Sequence, residues 1–284
     1  MIDLHVHSTV SDGTCTPEQL AEMGKRFSVM ALTDHDTVDG VAEFRAACGV
    51  QVCAGNVRLA GAELDVAPGE GYGKFHMLAL GIDPENGQLH EFLQSAVEAR
   101  KTRNMRMIEK LNAMGIAITL EDWAAVSPKL LLRPTLARAL MAKGYVHSVK
   151  EAFWKYIGDD APAYVSRVHP NAVDAIKTIH TAGGVAVMAH PKHWTHNEGK
   201  LFSGLAELMA RGLDGIEAVY QANTPDETIM HLRVARTLGM ATTAGSDFHG
   251  DNKPDITLGM EVDDEATFLK PFFDALERRK SECQ

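Results

Sequence analysis

The sequence predicts an α/β domain built on a parallel sheet or barrel and interrupted by a run of helices. Three observations predict it. Short β-branched or aliphatic runs alternate with helical patterns over most of the 284 residues, the arrangement that produces parallel strands with crossover helices. Between about Asn86 and Arg167 the pattern changes to almost pure helix. Polar residues of metal-ligand type recur where apolar runs end, and in parallel α/β folds that end of the strands is the functional face.

Residues 1–6, 29–33, 58–64, 75–80, 185–189, 214–218 and 240–244 read as strands. Thr16-Pro17-Glu18-Gln19 marks the first helix start, with a capping hydroxyl, proline at the first helical position and Gln three residues after the cap. Residues 65–73 are rich in turn formers, which predicts a loose hairpin and makes the strands on either side antiparallel. Residues 88–114, 134–143 and 149–157 read as amphipathic helices, with Met105, Met107 and Met114 as core fillers. The expected division is residues 1–98 and 168–284 for the sheet or barrel, with residues 99–167 as a helical insertion.

Composition narrows the function classes. A chain that is 45% hydrophobic and 23% charged can bury a core, and no stretch approaches the roughly 20 apolar residues that span a bilayer. The start, Met-Ile-Asp-Leu-His, has neither a basic nor an apolar leader region, so a cytoplasmic protein without membrane contact is expected. Cys15, Cys48, Cys53 and Cys283 form no CxxC pair and read as free thiols. A net charge of −10 disfavours long polyanions such as DNA, although divalent cations would reverse the sign locally.

Thirteen histidines make their placement the central question. In Asp3-Leu4-His5-Val6-His7 the polar residues alternate with apolar ones, so both imidazoles share one face near a strand end, where they can grip one cation. Thr33-Asp34-His35-Asp36, Ala189-His190-Pro191 and Gly245-Ser246-Asp247-Phe248-His249 each follow an apolar run. His76 precedes its run, but the antiparallel hairpin brings it beside the end of the strand that carries Glu63. Any one of these residues alone reads as a satisfied polar group at a strand terminus. Five such sites in phase do not.

Together these residues resemble the PHP (polymerase and histidinol phosphatase) phosphoesterases. The matching elements are Asp3-Leu4-His5-Val6-His7-Ser8 with Asp12, Thr33-Asp34-His35-Asp36, Glu63, His76, Ala189-His190-Pro191 and Asp247-Phe248-His249, spread over nearly the whole chain. The resemblance implies a distorted (β/α)7-type barrel, with the helical insertion capping the active site, and a trinuclear centre. It assigns His5, His7, Glu63 and Asp247 to one metal, Glu63, His76 and His190 to a second, and Asp12, His35 and His249 to a third, with Glu63 bridging the first two. Asp12 stands where some relatives have His. The insertion is similar to that of the stand-alone branch, which includes nucleoside 3′,5′-bisphosphate phosphatases and 5′→3′ RNA exonucleases.

The expected chemistry is phosphoester hydrolysis by a metal-bound hydroxide near Glu63, with Asp247 and His249 in attendance. Two or three divalent cations are expected. Imidazole and carboxylate ligands without thiolate suit Mn²⁺, Fe²⁺ or Zn²⁺, with Mn²⁺ preferred. Asp3, in phase with the HxH pair, reads either as a carboxylate that orients a ligand imidazole or as a hydrogen-bonded strand carboxylate. His193 and His196 read as rim residues, and Cys15 as no nucleophile. The leading substrate is a nucleoside 3′,5′-bisphosphate losing its 3′-phosphate. Short RNA and histidinol phosphate are the alternatives, and the oligomeric state is open. Asp12 and His35 are also candidates for phosphate contact. Arg100 and Arg103, three apart on an apparent helix, and Arg133 at the start of another could present guanidinium forks to the phosphate that is not cleaved, or form a solvated face with Glu98, Lys101 and Glu109.

Overall fold

The computed structural model describes residues 1–47, 56–67, 73–126 and 131–283. Most of the predicted turn at 65–73, together with Cys48 and Cys53, lies outside them. The described chain forms two compact units, residues 1–93 with 169–284, and residues 94–168.

The larger unit carries a seven-stranded sheet in sequence order: β1 (Ile2–Asp3), β2 (Val29–Leu32), β3 (Val57–Val66), β4 (Phe75–Leu80), β5 (Val185–Met188), β6 (Gly215–Tyr220) and β7 (Ala241–Gly245). Strands β1 to β3 are parallel, β4 runs antiparallel to both of its neighbours, and β5 to β7 are parallel again. The first strand is shorter than expected because it changes partner. After Asp3, the Leu4 N–H donates to Ala244 O at 3.0 Å and the His7 N–H to Phe248 O at 3.0 Å. An isolated parallel bridge joins Val6 to Phe248, and the sheet is thereby nearly closed into a barrel.

Both faces of these strands are apolar, as a sheet covered on both sides requires. Side chains alternate between two clusters. Met77 and Ala79 pack with Ile176 and Ile179 of α7 (Ala172–Thr181) and Leu205 of α8 (Glu198–Ala210). Leu78 and Leu80 pack with Leu269, Phe272 and Leu276 of α10 (Glu265–Glu282). The first helix, α1 (Pro17–Met23), has the predicted capping box: Gln19 N donates to Thr16 Oγ1 and Thr16 N to Gln19 Oε1. Short α2 (Val41–Ala47) follows β2, and α9 (Pro225–Leu238) connects β6 to β7 behind a second capping box on Thr224.

The long helix α3 (Gly87–Ala113) begins in the larger unit and continues into the smaller one. The smaller unit adds α4 (Leu120–Val126), α5 (Arg133–Ala142) and α6 (Val149–Ala152). The last of these passes directly into a π-helical turn at Phe153–Ile157, where a continuous α-helix was expected. Its core holds Met107, Leu111, Trp123, Leu136 and Leu140, and Trp123 Nε1 donates to Thr135 Oγ1 at 2.7 Å. Met107 fills this core as expected, but Met105 and Met114 are exposed. Met105, two positions along the helix, faces away from Met107, and Met114 lies beyond the last helical residue.

Candidate metal centre

The strand ends of the larger unit bring His5, His7, Asp12, His35, Glu63, His76, His190, Asp247 and His249 together, and all but His35 and His76 are buried. Glu63 stands at the middle. Its Oε1 lies 2.7 Å from His76 Nδ1 and 2.9 Å from His190 Nε2. Its Oε2 faces His5 Nε2 at 3.4 Å, His7 Nε2 at 3.2 Å and His35 Nδ1 at 3.0 Å. The two oxygens therefore serve separate sets of imidazoles. The hairpin delivers this arrangement: His76 pairs with Asp65 across the ladder, so Glu63 and His76 are diagonal neighbours on one face.

His5 and His7 also face Asp247 Oδ1, at 3.6 and 3.4 Å. Ligand atoms around a cation with bonds of about 2.1 Å stand about 3.4 Å apart in a tetrahedron, which matches the separations of these acids and imidazoles. His5 Nε2 and His7 Nε2 are buried without a hydrogen-bond partner, a state that native structures rarely tolerate unless the atom has another role. On the far side, His249 Nε2 lies 3.2 Å and His35 Nε2 3.8 Å from Asp12 Oδ1. Among the described residues four groups have ligand atoms within 4.8 Å of one another: His7-Asp12-His35-His249, His5-His7-Asp247, His5-Glu63-His190 and His35-Glu63-His76. His35 thus stands between the Asp12 side and the Glu63 side. This donor set fits divalent cations.

Residues 3–124 match the PHP domain family. Over 283 residues, 98% of this chain and 97% of the relative, the sequence is 32% identical to a 3′,5′-nucleoside bisphosphate phosphatase of Chromobacterium violaceum. The chain belongs to the PHP family. It is accordingly a metal-dependent phosphoesterase. A 5′-3′ exoribonuclease of Haemophilus influenzae is 31% identical over 87% of this chain and 89% of its own length. A solved Chromobacterium violaceum amidohydrolase structure with bound sulfate and no metal superposes with a TM-score of 0.84 at 31% identity, covering 98% of this chain and 96% of that one.

Electrostatics divide the PHP centre. Burial would lower the pKa of His5, but Glu217, Glu63 and Asp247 raise it well above the usual imidazole value. His7 goes the other way: burial, then His249 and His35, whose ring centroids lie 4.1 and 4.5 Å away, hold it well below that value. Burial opposes ionisation of Glu63, Asp247 and Asp12, yet the surrounding imidazoles outweigh it and hold all three carboxyls well below the usual range. Anionic acids in a buried site call for cationic charge.

Several residues around the PHP centre escaped the sequence reading. Glu217 on β6 lies 2.9 Å from His5 Nδ1 and accepts from the His190 N–H at 2.7 Å. Of the two readings of Asp3 the geometry is that of the hydrogen-bonded strand carboxylate, and the acid beside the imidazole is Glu217. Among the described residues Asp3 accepts from Ser246 N and Oγ, Gly259 N and His5 N and from no imidazole, which ties β1 to the loop after β7. Burial pushes its carboxyl up to about 6 against those bonds. Asp34 likewise accepts from Ser8 N, Ser8 Oγ and Ser11 Oγ and props the loop that carries Asp12. Asp247 Oδ2 accepts from Tyr220 at 3.1 Å and pairs with Lys253, leaving Oδ1 for the cluster. A single acid inside an apolar strand was the available signal for Glu217; nothing in the sequence marked Tyr220 or Lys253.

A cavity of about 270 Å³ opens onto these groups, lined among others by His35, Glu63, His76, His190, His193, Trp194 and Lys253. His193 sits on this wall, and burial, then His190, lowers its pKa to about 4. His196 is exposed and pairs with Glu227. Cys15 is a half-buried free thiol packed beside an apolar cluster. In the smaller unit, Arg100 and Arg103 are buried at 7% exposure, unlike the solvated face that Lys101 and Glu98 form. Arg133 pairs with Asp159 at 2.5 Å and lies over the rings of Phe153 and Tyr164.

Proposed function

We propose that this PHP phosphoesterase removes the 3′-phosphate of nucleoside 3′,5′-bisphosphates, with His5, His7, Asp12, His35, Glu63, His76, His190, Asp247 and His249 as cation ligands. The observation that carries the ligand reading is Glu63, whose two oxygens face different sets of imidazoles while His5 Nε2 and His7 Nε2 lack hydrogen-bond partners. The substrate reading is supported by similarity to the bisphosphate phosphatase along 98% of the chain. The net charge of −10 also favours a small substrate over a long one, because nucleic-acid affinity rests largely on cationic contacts.

Bound divalent cations would neutralise charge on the phosphoryl oxygens and ionise a water near neutral pH. Nitrogen and oxygen donors without thiolate favour Mn²⁺ in this proposal. The chain's own residues prepare the site. His249 Nδ1 lies 2.8 Å from the Asp247 carbonyl, which can only accept, so Nδ1 carries the proton and Nε2 is left free to ligate beside Asp12. Tyr220 and Lys253 hold one oxygen of Asp247 and orient the other. Asp12 and His35 are proposed to meet substrate phosphate as well. Arg100, Arg103 and Arg133, the last paired with Asp159, are proposed to bind the phosphate that is not cleaved.

Purified protein with Mn²⁺ should hydrolyse adenosine 3′,5′-bisphosphate faster than short oligoribonucleotides or histidinol phosphate. Preference for oligoribonucleotides would replace the reading with the exoribonuclease one. Arg103→Ala should raise KM for the bisphosphate more than for an aryl phosphate, since uniform binding lost at a non-reacting group appears chiefly in KM. Equal effects on both substrates would remove Arg103 from that role.

A further inference from the structure

We propose that Glu217 is a positioning residue that couples two cation sites, one carboxylate oxygen setting the tautomer of His5 and the other holding the backbone of His190. The inference rests on the reading of His5 and His190 as cation ligands. Glu217 is wholly buried on β6, and both of its oxygens are engaged. A carboxylate only accepts, so the contact of Oε1 at 2.9 Å places a proton on His5 Nδ1. A neutral His5 then keeps its lone pair on Nε2, the atom that faces Glu63 and Asp247.

The second oxygen acts on main chain. His190 has φ 27° and ψ 66°, a left-handed conformation that a β-carbon disfavours and that persists only where surroundings enforce it. Its N–H donates to Glu217 Oε2 at 2.7 Å, and this turn at the end of β5 carries Nε2 to within 2.9 Å of Glu63 Oε1. One carboxylate therefore fixes a ligand on each side of Glu63. Room for it is made across the strand pair by Gly245, where a β-carbon would stand 2.2 Å from Glu217 Oε1 and 2.4 Å from His5 Cβ.

The chemistry explains why an amide cannot substitute. Glutamine offers one acceptor oxygen and one NH₂ donor. The backbone N–H of His190 can only donate, so it claims the oxygen, and the NH₂ group is left facing His5 Nδ1. Nδ1 must then accept, and the proton moves to Nε2, where it blocks the cation.

The test uses full-length, metal-free protein labelled with ¹⁵N in histidine, the His5 signals being assigned by their loss in His5→Gln. Once the pH has been raised until the His5 signals report a neutral ring, the wild-type proton should sit on Nδ1, and Glu217→Gln should move it to Nε2. Titration with Mn²⁺ should show affinity falling by roughly 10- to 100-fold in Glu217→Gln. A merely structural role would lower Tm while leaving tautomer and affinity unchanged, and that result would overturn the proposal. So would a neutral wild-type His5 with its proton on Nε2 alone, a measurement that requires no variant to fold. Wild-type protein that binds no Mn²⁺ would sink the underlying ligand reading instead, so the two failures are distinguishable.

Discussion

Asp214 and Glu217, three residues apart at the start of β6 and within it, each pair with an imidazole at nearly the same distance, yet only Glu217 touches a candidate cation ligand. Asp214 Oδ2 lies 2.8 Å from His180 Nε2 and takes the Ala186 N–H at 3.0 Å, while Oδ1 receives Arg279 Nη2 at 2.7 Å. Its carboxylate is fully used in joining β5, β6 and two helices. Glu217 meets His5, whose second nitrogen is buried with no hydrogen-bond partner and faces two further acids. A carboxylate beside an imidazole is therefore no mark of chemistry by itself. The mark is the nitrogen left over after the pair has formed.

Breaking the acid that faces that nitrogen should have the largest effect. Glu63→Gln removes charge from both sets of imidazoles, and transition-state stabilisation of several kcal/mol is at stake, so turnover should fall by roughly 100-fold or more while the protein stays folded. Elemental analysis should show depleted metal, and normal metal content with near-normal turnover would refute the bridging role. A smaller loss is expected from His249→Ala, which should empty the Asp12 side and leave the His5-His7-Asp247 group loaded. Simultaneous loss of all cations would show that these groups fill as one unit.

The control half of the comparison concerns stability. Burial would raise the pKa of Asp214, but hydrogen bonds from His180, Arg279 and the Ala186 N–H outweigh it and hold the carboxyl below its usual value. Its contribution is therefore present above the unfolded-state carboxyl pKa and is lost as pH falls through the lower folded value. Asp214→Asn should cost about 2 kcal/mol near neutral pH and flatten the acid limb of a plot of stability against pH, with metal content unchanged. Loss of metal in that variant would erase the distinction between the two pairs.

The readability of each element followed from the range of the forces that shape it. Strand β4 has the bounds expected for it, because its apolar run pairs along its whole length with β3 and from Met77 to Leu80 with β5. Strand β1 does not, because at Leu4 its hydrogen bonds pass from β2 to β7, a partner more than 200 residues away. Among the arginines, the three-residue spacing was visible, but the burial of Arg100 and Arg103 and the Asp159 partner of Arg133 depend on how the helices pack. Asp214 and Glu217 look alike in sequence, each one acid in an apolar run, and no local pattern separates them.

By itself the sequence determined the βα alternation, the antiparallel step between β3 and β4, the α1 capping box and the set of ligand-type residues at strand ends, since backbone periodicity and turn chemistry act over a few residues. Tertiary structure alone decided which oxygen of Glu63 faces which imidazole, that Asp3 braces a loop while Glu217 holds His5, and that Gly245 leaves the space for it. Those outcomes depend on contacts between strands far apart in the chain, where a displacement of one residue would turn each side chain to the other face of the sheet.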